Sequence, residues 1–167
     1  MKFHQLFIAA IYEPKKLAAF RLLSIGKVIQ YVFVFITIFT IVSFTRFTLG
    51  DANFFDASPE LMEYSRTIGW LIYPIALLLQ FVIATFYIFV RISLFGLAGL
   101  LLVKLFKRKG EYRHIWRTSA ISISIPLILT LIMDFNPSLQ STGLAISSVV
   151  HLLYMTAAVK YYPKVRK

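Results

Sequence analysis

Residues 67–106 read TIGWLIYPIALLLQFVIATFYIFVRISLFGLAGLLLVKLF, forty positions in which Arg91 and Lys104 are the only charges. As one helix the stretch would be about 60 Å long at ~1.5 Å per residue, twice the ~30 Å hydrocarbon core of a bilayer. A span starting near Gly69 would reach the opposite interface at about Arg91, and the roughly 15 residues left over are short for another crossing. How these residues run therefore decides whether the chain crosses the membrane four or five times.

The flanking segments set the class. Residues 25–45 (IGKVIQYVFVFITIFTIVSFT) are apolar all round, long enough to cross, and carry Lys27 where it can snorkel to the interface. Residues 46–66 hold Asp51, Asp56, Glu60 and Glu63 with Gly50 and Pro59, and read as a polar, turn-rich outer loop. Lys104, Lys107, Arg108, Lys109, Arg113 and Arg117 are interleaved with Tyr112 and Trp116, aromatic rings suited to a headgroup layer. Residues 118–133 and 142–159 read as two further spans, joined by the short loop 134–141 with Pro137 as a helix breaker.

Residues 1–24 contain no stretch of ~20 apolar residues and are divided by Pro14. They are expected to form interfacial helices on the inner headgroup surface, or else a helix packed on the bundle. The expectation is an all-α, polytopic transmembrane helical bundle in a single membrane domain, residues 1–167, with no cleaved leader.

Composition agrees. Of 167 residues, 59% are hydrophobic and 15% charged, with a mean hydropathy of +0.76. A soluble domain of this size would need far more polar surface. Without cysteine the chain has no disulfide, thiolate metal site or cysteine nucleophile. The net charge of +11 would point to nucleic acid in a soluble protein. Here the basic residues cluster beside apolar runs, so no nucleic-acid partner is expected, and anionic lipid headgroups are.

Charge also chooses the topology. With four crossings and a cytoplasmic N-terminus, 15 Lys and Arg face the cytoplasm: five up to Lys27, six from Lys104 to Arg117 and four in the tail. Only Arg46 and Arg66 lie outside. Five crossings would put most of the basic residues outside or split them between the two sides. The cytoplasmic excess of Lys and Arg in membrane proteins favours four crossings, with both termini inside a bacterial cytoplasmic membrane. Residues 67–106 then form a long, tilted or broken second helix.

Two stretches carry a resemblance: FHQLFIAAIYEPKKLAAFRLLSIGKVIQYV at 3–32, and KRKGEYRHIWRTSAISISIPLIL at 107–129, with Tyr112, Arg113, Trp116, Arg117, Ser119, Ala120 and Pro126. They resemble an uncharacterised, Firmicute-type bacterial membrane protein family, a domain of unknown function whose members include maltodextrin-utilisation membrane proteins. More distantly, the pattern is similar to the Yip-type membrane fold. The family usually has a larger outer insertion between its first two spans, where this chain has only residues 46–66. The maltodextrin name implies at most an association with a sugar transporter.

Motifs for catalysis are missing: there is no H-E-x-x-H, G-x-S-x-G, Walker loop or dinucleotide fingerprint. His4, His114 and His151 are scattered, so no catalytic residue, cofactor or metal is expected. Polar groups within the spans remain. A charge in hydrocarbon is expensive and often functional, which singles out Arg91. The simplest expectation is an interface anchor; the alternative is a buried arginine paired with neighbouring helices, whose replacement by leucine should disturb folding or partner binding.

His151 is expected mid-span, four residues after Ser147 on one helical face and hydrogen-bonded as a neutral ring to another helix. Gly96 and Gly99 are spaced G-x-x-G, a weak dimer signal. The candidate functional or interaction residues are Arg91, Tyr112, Arg113, Trp116, Arg117 and His151. The function expected is that of a non-enzymatic accessory, scaffold or regulatory subunit using a basic cytoplasmic face. The alternative is a small oligomeric transporter or permeability subunit linked to sugar uptake, with Arg91 and His151 lining a path.

Overall fold

The computed structural model describes residues 3–55 and 59–164, and these contain seven α-helices and no β-strand. In order they are α1 (Phe3–Tyr12), α2 (Pro14–Ala19), α3 (Ile25–Phe55), α4 (Pro59–Leu105), α5 (Tyr112–Ser122), α6 (Ser124–Asp134) and α7 (Pro137–Val159), with a 3-10 turn at Phe20–Leu22 after α2. Among the described residues three helical stretches are long and apolar enough to cross a membrane: Ile25–Leu49, Trp70–Leu105 and Thr142–Val159. The α5–α6 pair makes a fourth if counted as one bent span. The chain is thus a polytopic helical membrane protein.

Residues 67–105 lie within one continuous helix, with Pro74 inside it. No turn follows Arg91, as five crossings would require. The expected loop at 46–66 is largely helical instead: α3 runs on to Phe55 and α4 starts at Pro59, and residues 56–58 lie outside the described residues. Neither breaker acts as one. A glycine within a helix costs only about 1 kcal/mol, and proline is well suited to a helix's first turn, where its missing N–H costs nothing.

The same reasoning corrects the loop expected at 134–141. Pro137 begins α7 rather than breaking it, and the Asn136 side chain accepts the Ser138 N–H at 3.1 Å as an N-cap. Only residues 135–136 separate α6 from α7. The span expected at 118–133 is two helices, because the helical run starts at Tyr112 and bends by 42° between Ser122 and Ser124.

The chain forms two compact units. The first joins Met1–Phe35 with Phe89–Lys167. In it α1 and α2 pack on α5, α6 and α7, burying Leu6, Ala9, Ala10, Leu17 and Ala18 against protein. Residues 3–22 therefore lie on the bundle, and alanines on that face allow the helices to come close. The second unit, Ile36–Ile88, is a pair of apolar helical segments. Ile36, Thr40, Ala84 and Ile88 are buried in it, and Phe39 stacks on Tyr87 at 5.5 Å. Trp70, Leu78, Ile83 and Phe86 are all more than half exposed, an apolar helix surface suited to lipid.

Candidate functional site

Pro126 organises the interior of the first unit. It has no N–H to offer the carbonyl one turn back, and its ring crowds that turn, so the run from Tyr112 to Asp134 bends. Serines occupy the break: Ser122 Oγ donates to Ser119 O at 3.0 Å and Ser124 Oγ to Ile121 O at 2.9 Å. With the Ser124 proton so placed, the buried Tyr31 hydroxyl donates to Ser124 Oγ and ties α3 to the same point.

Around the break, side chains from four helices converge. Arg91 and Phe95 stand four apart on α4, and Ser147 and His151 four apart on α7, so each pair shares a helical face. Ser147 Oγ donates to Pro126 O at 2.5 Å, leaving its lone pairs to accept from Arg91 Nη2 at 2.6 Å and Thr130 Oγ1 at 2.7 Å. A longer contact of 3.4 Å runs from Arg91 Nη1 to Thr130 Oγ1.

One turn away, His151 Nε2 lies 3.2 Å from Ser119 O and 3.1 Å from Ser122 Oγ. The Ser122 proton is already on Ser119 O, so both groups are acceptors and the histidine proton is assigned to Nε2. Nδ1 has no hydrogen-bond partner among the described residues. Ser119 Oγ in turn donates to Ile92 O of α4 at 2.9 Å. The Phe95 ring links the two halves, stacked on His151 at 4.1 Å with the Arg91 guanidinium carbon 5.8 Å from its centre.

The burial of this network corrects one expectation. Arg91 is only 5% exposed and bonds to α6 and α7 side chains, so it is a buried, hydrogen-bonded group and not an interface anchor. Ser119, Ser147 and His151 are fully enclosed at 0%. His151 bonds across to α5, as its position on the α7 face implied. Chemically, the arrangement links α4, α5, α6 and α7 through buried hydrogen bonds, with His151 Nδ1 left over as a buried group that makes none among the described residues.

The other candidates sit together on α5. Trp116 is half-buried, stacked on Phe89 at 6.2 Å, and its Nε1 donates to Ser93 Oγ at 3.2 Å, so the indole is pinned to α4. Tyr112 is 39% exposed. Arg113 is exposed and pairs with Glu111 at 2.7 Å, a surface contact worth at most about 1 kcal/mol. Half-buried Arg117 donates to Arg21 O at 3.2 Å.

Sequence reasoning missed the residue at the centre of this end, Tyr162. Its ring lies under the Arg21 guanidinium at 4.8 Å, its carbonyl accepts Arg108 Nη1 at 2.8 Å, and its hydroxyl meets Thr118 Oγ1 at 2.6 Å. The backbone reinforces the junction, because Lys109 N–H donates to Pro163 O at 2.7 Å and Arg108 bridges to Lys164. A Cβ at Gly110 would stand 3.1 Å from the buried Tyr162 ring, which would have to give way slightly. The available signal was a tyrosine just past an apolar run, which composition alone does not separate from any interfacial aromatic.

Burial raises the Tyr162 hydroxyl's pKa above the usual 10.0, although the Thr118 hydrogen bond and the Arg21 charge act against the shift. A raised folded-state pKa stabilises the fold below pH 10 and loses that contribution as pH rises through the folded value. Tyr162→Phe should therefore lower thermal stability by about 1 kcal/mol at neutral pH through the lost hydrogen bond. The gap should narrow in unfolding midpoints taken above pH 10.

A family described as "Protein of unknown function (DUF1189)" matches residues 56–159, well over half of the chain. The chain belongs to this family. Arg91, the break at Pro126, Ser147 and His151 all fall inside the DUF1189 segment, whereas α1 to α3 precede it. No curated protein and no solved structure matches the chain.

Proposed function

We propose that this DUF1189 protein is a non-enzymatic accessory, scaffold or regulatory subunit of a bacterial cytoplasmic membrane, with both termini cytoplasmic, docking partners through its basic face. The observation that carries the reading is the ordered cluster of cations around Tyr162. Arg21, Arg108 and Arg117 are fixed there by ring or carbonyl contacts, and Lys104, Lys107 and Lys109 are exposed beside them. Among the described residues, Glu13 and Glu111 pair with Lys16 and Arg113, and no carboxylate touches those three arginines. Such a surface favours anionic headgroups or an acidic segment of a partner membrane protein. The resemblance to maltodextrin-utilisation membrane proteins makes a sugar transporter the first partner to try.

Crosslinking and copurification from native membranes test the reading. A stoichiometric partner is expected with the wild type, and its recovery should fall severalfold when exposed Lys104, Lys107 and Lys109 are all changed to glutamate. Failure to recover any partner after crosslinking would overturn it. Orientation is checked by single cysteines at Ser58 and Lys109 in this cysteine-free chain, with Ser58 alone labelled from outside.

The buried network at a broken helix favours a second reading, a small oligomeric transporter or permeability subunit. Broken helices and intramembrane charge are how transporters build substrate sites. The complete burial of Ser119, Ser147 and His151 counts against an open path. Proteoliposome flux that is unchanged by Arg91→Leu and His151→Ala would remove this reading.

A further inference from the structure

A second, separate feature lies between α1 and the start of α3. A groove of about 320 Å³ is lined by Phe3 and Leu6 from α1 and by Lys27, Gln30, Tyr31 and Val34 from α3. The four α3 residues follow the i, i+3, i+4, i+7 pattern, so they form one stripe along the helix, about 10 Å from Lys27 to Val34 at ~1.5 Å per residue. Polarity is graded along that stripe. An exposed ammonium and an exposed amide stand at the α3 N-terminal end, with an aliphatic and aromatic wall beyond them.

The wall is rigid. Phe3 packs on Tyr31 at 5.0 Å and on Phe35 at 6.2 Å, Tyr31 on Phe35 at 5.1 Å, and Phe7 on Phe35 at 6.2 Å. Tyr31 is held further by its hydroxyl on Ser124, so the groove exists before anything enters it. Its volume is at the lower end of ligand pockets, enough for part of an amphiphile with the remainder lying in the bilayer.

We propose that this groove binds one anionic phospholipid of the surrounding membrane. The headgroup phosphate sits at Lys27, Gln30 donates to the phosphate or a glycerol ester, and one acyl chain runs over Val34, Phe3 and Leu6. The match is one of charge and of order: cation, amide and apolar wall follow the sequence of phosphate, ester and hydrocarbon in the lipid. An acidic peptide would meet the same lysine but would gain nothing from the apolar half. The site shares no residue with the basic cluster at Tyr162, so its failure would leave the partner-docking reading untouched.

Native mass spectrometry tests it on the full chain, purified in mild detergent and mixed with equal amounts of phosphatidylglycerol and phosphatidylcholine. The first lipid retained should be phosphatidylglycerol, by about fivefold, the worth of one lysine at an anionic surface. Lys27→Gln should abolish that preference. Val34→Trp, and independently Gln30→Trp, should fill the groove and remove the first lipid of either kind, whereas Lys109→Gln should change nothing. Lys27, Gln30 and Val34 are all exposed, so these variants should keep the wild-type unfolding midpoint. Equal retention of the two lipids, unchanged retention in the variants, displacement by millimolar inorganic phosphate, or a dimer that masks the groove would each overturn the proposal.

Discussion

Gly99→Ala should destabilise the protein, by about 1–3 kcal/mol for overpacking, although the same change elsewhere in a helix usually stabilises. A Cβ at Gly99 would overlap Ile115 Cγ2 and stand 2.6 Å from Met155 Cε. Methionine can swing its methyl away, but Ile115 is fully buried and β-branched, with few rotamers to retreat into. Gly99→Val should cost more still. Gly96→Ala is the contrast: its Cβ would meet Tyr112 Cε2 at 3.3 Å, on a ring that is 39% exposed and free to shift. That variant should be neutral or slightly stabilising. Unfolding midpoints in detergent check the pair, and equal effects at both positions would remove the packing account. The two glycines thus face α5 and α7 of their own chain, which gives their spacing an intramolecular explanation.

Ser147→Ala should cost about 2 kcal/mol, within the range for hydrogen bonds to charged groups, and more than Arg91→Leu. The asymmetry follows from where the protons are. Removing Ser147 takes the 2.6 Å acceptor from a buried guanidinium, whose contact with Thr130 is longer at 3.4 Å. Removing the arginine leaves Ser147 bonded to Pro126 O, and Thr130 to Ser147, with no uncompensated charge behind, so the fold should be disturbed but at a smaller cost. In the Arg91→Leu background, Ser147→Ala should lose about 1–2 kcal/mol of its effect, the coupling expected for residues in direct contact. Additive costs across that double-mutant cycle would mean that the arginine and the serine are neighbours without being partners.

The crossing helices were legible because apolar composition and length are what a bilayer selects, and residues 25–45 and 142–159 meet that test without help from packing. Arg91 and His151 stood out for the same reason, as polar atoms in stretches otherwise free of them. What hydropathy cannot read is the inventory of backbone N–H groups. Residues 118–133 look like one span by composition, yet Pro126 leaves a carbonyl unclaimed and the helix bends there. The burial of Arg91 was misread because an arginine near the end of a 20-residue crossing resembles an anchor. Only the positions of Thr130 and Ser147, 39 and 56 residues further on, show that it is held inside. The docking of α1 and α2 was open as the alternative to an interfacial position, and sequence could not choose it, since alanine faces carry little hydrophobic signal and acquire meaning only against a partner helix.

That separation along the chain also has a temporal side. Arg91 is synthesised 56 residues ahead of Ser147, and at ~5–20 residues per second the ribosome takes about 3–11 s to supply the partner. During those seconds the arginine has neither the serine nor the helix that will enclose it, and hydrocarbon is its worst surroundings. The nascent α4 must wait with Arg91 at an aqueous or headgroup boundary, inside the insertion machinery or beside it, until α7 emerges. Its enclosure is therefore completed by a late event in translation, and a stalled chain ending before Ser147 should hold α4 in a different register from the finished protein.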